Sequence, residues 1–375
     1  MQQTLSPNPA ARRRLLRAMG ATAATLATAP MAWAQVQDEF GRAPLKGAGS
    51  TFVYPLMVQW IKENRAHTAG ADFKAGNAGL DGDLLGAQVL DYEPVGSLAG
   101  LQRLRAKAVD FALSELPLSA RTLKDQGLIQ LPVVLGSVAI VANLPGLQQP
   151  LRLDGATVAA VYLGQIKKWN DPALLALNPG AALPDADIQP LVRTEGSGTT
   201  YTVTSFLATQ VPTWRDVVGV DAVVSWPMGH GVRGSSGMAQ ALRSTPFSLG
   251  YLDAVQAQAT GLNLAALKNR AGAFVTPSAA SVAAAAQSAD WQGWQQRKDG
   301  DSLPLINAQG AGSYPVIASV LAVLPHATRT RAHLRARTFL QWALQNGQPV
   351  AQRLGYVPLP ASAAQQVRAA LSAKT

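Results

Sequence analysis

Three times in this 375-residue chain an extended or apolar segment runs into a cluster of glycine and hydroxylated residues that then opens an apolar-periodic stretch. The clusters are Gly49-Ser50-Thr51-Phe52, Gly96-Ser97 and Gly196-Ser197-Gly198-Thr199. Such an order spells strand, tight junction, helix. Leu45–Gly49 reads as the first strand, and the helix after it carries Val53, Leu56, Met57, Trp60 and Ile61 on one stripe. A stretch rich in Gly and Asp, from about Thr68 to Gly86, reads as a loop or decorated connection. Tyr92 to Gly96 ends a second strand, Leu98, Leu101 and Leu104 mark a helix, and Val109, Phe111 and Leu113 alternate as a third strand. These βαβ units predict an α/β fold: a mostly parallel sheet flanked by helices, with ligands at the carboxyl ends of the strands.

The design repeats from near Leu135. Val138 to Ala142 reads as a strand, Asp154 caps a helix bearing Val158, Val161 and Leu163, and Ile188 to Val192 delivers Arg193-Thr194-Glu195 into the third cluster. The following helix buries Val203, Phe206 and Leu207. Tyr314-Pro315-Val316-Ile317 leads a late strand, and a long helix with Phe339, Leu340, Trp342, Ala343 and Leu344 is expected to return to the first half. A chain of this length exceeds what one core usually supports, so two lobes are expected.

Hydrophobic residues make up 48% and charged residues 14%, a globular rather than disordered composition, and no apolar run approaches the ~20 residues that span a bilayer. The first 34 residues read as a cleaved export signal: Arg12-Arg13-Arg14-Leu15-Leu16-Arg17, a mild apolar stretch from Ala18 to Ala29, and Ala32-Trp33-Ala34. The paired arginines resemble a twin-arginine signal, with a general secretory signal as the alternative. The product is expected to start at Gln35 and to lie free in the periplasm. With no cysteine, it has no disulfide, thiolate metal site or lipidated N terminus. The formal charge of +10 includes four leader arginines, leaving 10 − 4 = +6. The remaining basic cluster, Arg329, Arg331, Arg335 and Arg337, has no interleaved aromatics and reads as a solvated helix face, not a nucleic-acid surface.

A helix N-terminus offers unpaired amides and partial positive charge, and glycine lets an oxyanion approach the backbone. Helix capping uses the same residue types. Three such junctions beside Arg193 put an oxyanion site level with capping.

The resemblance is more specific. Gly47-Ala48-Gly49-Ser50-Thr51-Phe52, Val109-Asp110-Phe111 through Pro117-Leu118-Ser119, and Tyr162-Leu163-Gly164-Gln165-Ile166-Lys167-Lys168-Trp169 resemble the phosphate-binding proteins of high-affinity phosphate ABC transporters. So do Arg193 through Thr199, Leu249-Gly250-Tyr251 and Gln365 through Ala370, in the same order. The resemblance implies a type II periplasmic binding protein whose two α/β lobes close on phosphate: residues 35–134 with 314–375, and residues 135–313. Carried over by position, it implies Thr51 and Phe52 as backbone donors, with hydroxyls from Thr51 and Ser97. From the other lobe it implies Arg193, Ser197, Gly198 and Thr199. Glu115 stands where the family has an aspartate that accepts the ligand's proton, and Glu195 stands where a second aspartate braces the arginine. Each keeps the charge and adds a methylene. The competing readings are a surface glutamate at a strand end for Glu115 and an exposed first-turn glutamate for Glu195.

The resemblance also implies a monomer that delivers phosphate to membrane permease subunits, with no cofactor. A secreted phosphate scavenger, or a binder of another oxyanion, are the alternatives on the same fold. An enzyme is not expected: Glu195-Gly196-Ser197-Gly198-Thr199 is no Gly-x-Ser-x-Gly elbow and no phosphate loop of the Gly-x-x-x-x-Gly-Lys type appears. His67, His230, His326 and His333 lack metal-ligand spacing, so no metal is expected.

Overall fold

The computed structural model describes residues 44–74, 90–289, 291, 305–327 and 330–373, so the export signal and Gln35 lie outside the described residues. The first series comprises β1 (Leu45–Gly49), α1 (Tyr54–Lys74), β2 (Leu90–Glu93), α2 (Ser97–Arg105), β3 (Phe111–Ser114), α3 (Ala120–Gln126) and β4 (Leu128–Ala142). The second comprises β5 (Arg152–Leu153), α4 (Gly155–Tyr162), α5 (Pro172–Leu177), β6 (Gln189–Arg193), α6 (Gly198–Gln210), α7 (Trp214–Val217), β7 (His230–Val232), α8 (Gly234–Ser244), β8 (Ser248–Asp253) and α9 (Ala254–Gln258). Short strands β9 (Asn263–Leu264), β10 (Ala266–Lys268) and β11 (Phe274–Val275) precede α10 (Ala279–Gln287). The tail holds β12 (Ile317–Pro325), α11 (Arg331–Gln345), α12 (Gln348–Arg353) and α13 (Ala361–Ser372).

The main sheet runs β2-β1-β3-β12-β4-β8-β6-β7, with β9 beside β4, and β11-β10-β5 form a small second sheet. Pairing is parallel within β2-β1-β3 and within β8-β6-β7, and antiparallel where β12 and β4 join them. Two parallel blocks are thus bridged by two antiparallel strands. The two blocks place the carboxyl ends of β1 and β3 and of β6 beside one another, which is where α/β sheets bind ligands.

β4 is one continuous 15-residue strand, so the expected boundary at residue 134 falls inside a strand rather than in a loop. Its residues up to Ser137 pair with β12, and those from Val138 pair with β8. The tail lies against the first block: Trp60 Nε1 donates to Gly347 O at 2.8 Å, and Leu135 and Val357 exchange backbone bonds at 2.9 Å.

Three local expectations are corrected. α1 continues through Lys74, so residues 68–74 of the expected loop are helical, while residues 75–89 lie outside the described residues. β3 is buried at every position rather than at alternate ones, because β1 and β12 flank it and helices cover the sheet. The basic cluster is not a solvated face: Arg335 and Arg337 are buried, while Arg331 is exposed and Arg329 lies outside the described residues. Arg337 Nη1 donates to the carbonyls of Ala370 and Leu371, and Nη2 donates to those of Pro325 and His326.

Candidate functional site

The loop between β1 and α1 turns sharply at Gly49, whose φ of 134° suits glycine and whose missing Cβ would lie 2.1 Å from Leu113 O. Three consecutive carbonyls of this loop are held by side chains from elsewhere in the fold. Tyr92 Oη donates to Ser50 O at 3.0 Å, Gln256 Nε2 to Thr51 O at 3.1 Å and Tyr356 Oη to Phe52 O at 2.7 Å. Because trans peptides set C=O and N–H on opposite sides, fixing these carbonyls also fixes the amides of Thr51, Phe52 and Val53.

Arg193 closes β6 and its side chain is 1% exposed. Its Nε donates to Glu195 Oε1 at 2.8 Å, its Nη2 bonds to the same carboxylate and to Thr51 Oγ1 at 2.9 Å. Its Nη1 is buried with no hydrogen-bond partner among the described residues. Glu195 Oε2 in turn accepts from Gly234 N at 3.2 Å, so the carboxylate that holds the guanidinium through Oε1 is itself anchored, and Glu195 is not the exposed first-turn residue. The backbone of Arg193 is fixed by Tyr251 Oη, which accepts its N–H at 3.0 Å.

Ser197 is the N-cap of α6 and accepts from Thr200 N at 3.2 Å. Capping and presentation of the first-turn amides of Gly198 and Thr199 therefore coexist. Gly198 admits no side chain, since a Cβ there would stand 2.0 Å from Glu115 Oε2. Glu115 is 4% exposed, not a surface residue. Its Oε1 accepts from Ser50 Oγ and its Oε2 from Ser97 Oγ at 2.7 Å. Burial raises its pKa, and those two hydroxyls and Arg193 offset that rise only in part.

Ser97 Oγ also accepts from Gly198 N at 3.2 Å, so its single proton is directed to Glu115 rather than into open space. Thr51, Phe52, Ser97, Glu115, Arg193, Ser197, Gly198 and Thr199, all expected from sequence, line one small, tightly closed cavity together with Ser50 and Gly96. The donors and one acceptor that surround it suit a small oxyanion carrying a proton.

Four contributors went unread in the sequence. Ser50 was visible in its motif but not assigned a role, although its Oγ accepts from Phe52 N at 3.1 Å and donates to Glu115. Ser235 Oγ lies 2.9 Å from Thr51 Oγ1, Gln256 reaches the loop from α9, and Asp253 at the end of β8 holds Gln256. No local signal marks these last three, which are brought in by tertiary packing. Among the described residues, no group of His, Asp and Glu is arranged to hold a metal ion.

Comparison with known proteins gives one direction. Residues 24–346 match the PBP superfamily domain. The phosphate-binding protein PstS of Xylella fastidiosa (strain Temecula1) is 36% identical over 327 residues, 87% of this chain and 84% of that one. PstS of Haemophilus influenzae is 34% identical over 346 residues, 92% of this chain and 95% of that one. In fold, the chain is similar to a high-affinity periplasmic phosphate-binding protein solved with phosphate (TM-score 0.66, 21% identity, 87% of this chain and 93% of that one).

Proposed function

The chain belongs to the PstS phosphate-binding proteins of the PBP superfamily, and from that membership we propose that it captures inorganic phosphate between two lobes and delivers it to the membrane permease subunits of an ABC-type importer. We assign the lobes as residues 35–134 with 314–375 and residues 135–313, with β4 and β12 carrying the chain between them. The protein acts as an exported, periplasmic monomer and performs no chemistry on its ligand. No described helix is long and apolar enough to cross a membrane.

The observation that carries the ligand reading is Arg193 Nη1: a buried donor, unpartnered among the described residues, on the one cation among them that lines the cavity. A buried donor left without an acceptor costs about 1 to 3 kcal/mol, more on a charged group, unless an acceptor completes it. Phosphate oxygens supply that acceptor. In this reading Arg193, the amides of Thr51, Phe52, Gly198 and Thr199, and the hydroxyls of Thr51, Ser97, Ser197 and Thr199 donate to the ligand. Glu115 accepts the ligand's proton, and Glu195 holds the guanidinium. For this, the Ser97 hydroxyl must turn from Glu115, and the amides of Phe52 and Gly198 must exchange Ser50 Oγ and Ser97 Oγ for the ligand.

Calorimetric titration of the exported protein with phosphate, arsenate and sulfate is the direct test. Phosphate is expected to bind tightly without turnover, and Arg193→Ala to weaken it by at least about 2 to 4 kcal/mol. Undiminished affinity in that variant would remove Arg193 from the site.

A further inference from the structure

We propose that Asp253 is a further determinant of anion binding, a buried carboxyl that takes up a proton when the anion arrives, so that capture is coupled to proton uptake. The inference rests on the phosphate-binding reading above.

Asp253 ends β8, is fully buried, and pairs across the sheet with Val138 at the point where β4 changes partners. Its oxygens accept from Gln256 N at 2.9 Å and Gln256 Nε2 at 2.6 Å, and it has no ion pair among the described residues. Gln256 Nε2 also donates to Thr51 O, so one amide group separates this carboxyl from the anion loop.

The charge balance explains why a proton is needed. Among the described residues Arg193 is the one cation lining the cavity, and Glu195 already neutralises it. Glu115 faces the same cavity, and Asp253 senses both Arg193 and Glu115. Glu115 and Asp253, both buried, and the partly buried Glu195 stand against one guanidinium, so full ionisation would leave a surplus of negative charge before any ligand enters. Burying a further anion there is unfavourable unless a carboxyl is neutralised, and the cheapest to neutralise is the one without a cation partner.

The groups facing Asp253 are Arg193 from β6, Glu115 from the segment after β3, and Tyr356 from the tail, whose own ionisation Asp253 opposes. Burial pushes Asp253 up to about 7, with Glu115 adding to the rise while Arg193 and the Gln256 amide oppose it. An arriving anion acts in the same sense as Glu115. The carboxyl, half protonated near neutral pH before binding, therefore becomes more protonated after it. Affinity is expected to fall as pH rises above about 7.

The test is calorimetric titration with inorganic phosphate in two buffers of equal pH, between 7 and 8, and different ionisation enthalpy, on the wild type and on Asp253→Asn. Asparagine keeps an acceptor for Gln256 N and still caps α9. The wild type is expected to take up a measurable fraction of a proton more than the variant, the ionisation of phosphate itself being common to both. Equal proton counts would overturn the inference. Infrared difference spectra of the wild type give a second readout that needs no variant: phosphate should raise a protonated-carboxyl band, and a flat carboxyl region would overturn the proposal independently. No phosphate binding in either protein would instead sink the underlying reading of the cleft.

Discussion

At Glu115 two hydroxyls each direct their only proton to one carboxylate oxygen, leaving that carboxylate as an acceptor and nothing else toward the cavity. Near neutral pH phosphate still carries a hydroxyl and can donate to it, whereas sulfate presents only lone pairs. In a dry cleft that mismatch costs about 3 kcal/mol or more. Glu115→Gln adds an N–H group and should shrink the phosphate-to-sulfate preference by roughly tenfold or more. Competition binding of the two anions measures it, and unchanged affinities for both would show that selectivity resides elsewhere. A separate expectation concerns stability. Burial pushes Asp253 up to about 7 from its ordinary 3.8, so the folded protein holds this proton more tightly than the unfolded chain does. The resulting stability is fully present below 3.8 and is lost as pH rises toward 7. The ligand-free wild type should therefore lose more thermal stability between pH 5 and pH 8 than Asp253→Asn does, and parallel losses would contradict the shift. Most of the site residues were legible because they sit at junctions whose glycine and hydroxyl content is itself the signal. Asp253 and Gln256 were not legible, because only packing brings them to Thr51.

The elements that hold these residues were readable where hydrophobic period decides structure, and misread where the partner lies far along the chain. Leu56, Met57 and Trp60 do form a buried stripe on α1, with Val53 buried just before it and Ile61 half-buried, and Asp154 does cap α4 with a reciprocal capping box. Arg335 and Arg337 look solvated because their positive charge is local information, whereas the carbonyls that receive Arg337 come from the ends of α13 and β12. Arg337→Met keeps the apolar stem and strands those carbonyls, with an expected loss of about 2 to 4 kcal/mol in chemical unfolding. A change within ~0.5 kcal/mol, the usual range for a surface site, would return the residue to the solvated face. The close contact of α2 with β1 was equally invisible: a Cβ at Gly100 would lie 2.4 Å from Gly49 Cα. Gly100→Ala should cost about 1 to 3 kcal/mol. Because α2 begins at Ser97, the same shift should also weaken phosphate binding, and affinity equal to wild type would show that the helix end does not move with its middle.

Across the whole molecule, two parallel blocks meet through antiparallel β12 and β4, and few direct bonds join the loops that face each other over the cavity. These bonds are Arg193 Nη2 to Thr51 Oγ1, Thr51 Oγ1 with Ser235 Oγ, Gln256 Nε2 to Thr51 O, Gly198 N to Ser97 Oγ, and Leu98 N to Gly196 O. Neutral bonds of this kind contribute about 1 kcal/mol each, and charged ones somewhat more. Opposing them, the closed arrangement buries Glu115 and Asp253 beside a guanidinium already paired with Glu195. An anion changes this balance because it completes Arg193 and draws amides from both blocks, contacts available together only when the blocks are closed. The differential binding energy is expected to shift the population toward the closed form, with β4 and β12 as the strands that join the two blocks. Small-angle scattering should therefore show a smaller radius of gyration at saturating phosphate than without ligand. In Arg193→Ala the same compaction should require higher phosphate, because the charged contact that rewards closure is gone. A scattering profile unchanged by phosphate in the wild type, under conditions where calorimetry registers binding, would mean that the cleft is already closed before the ligand enters.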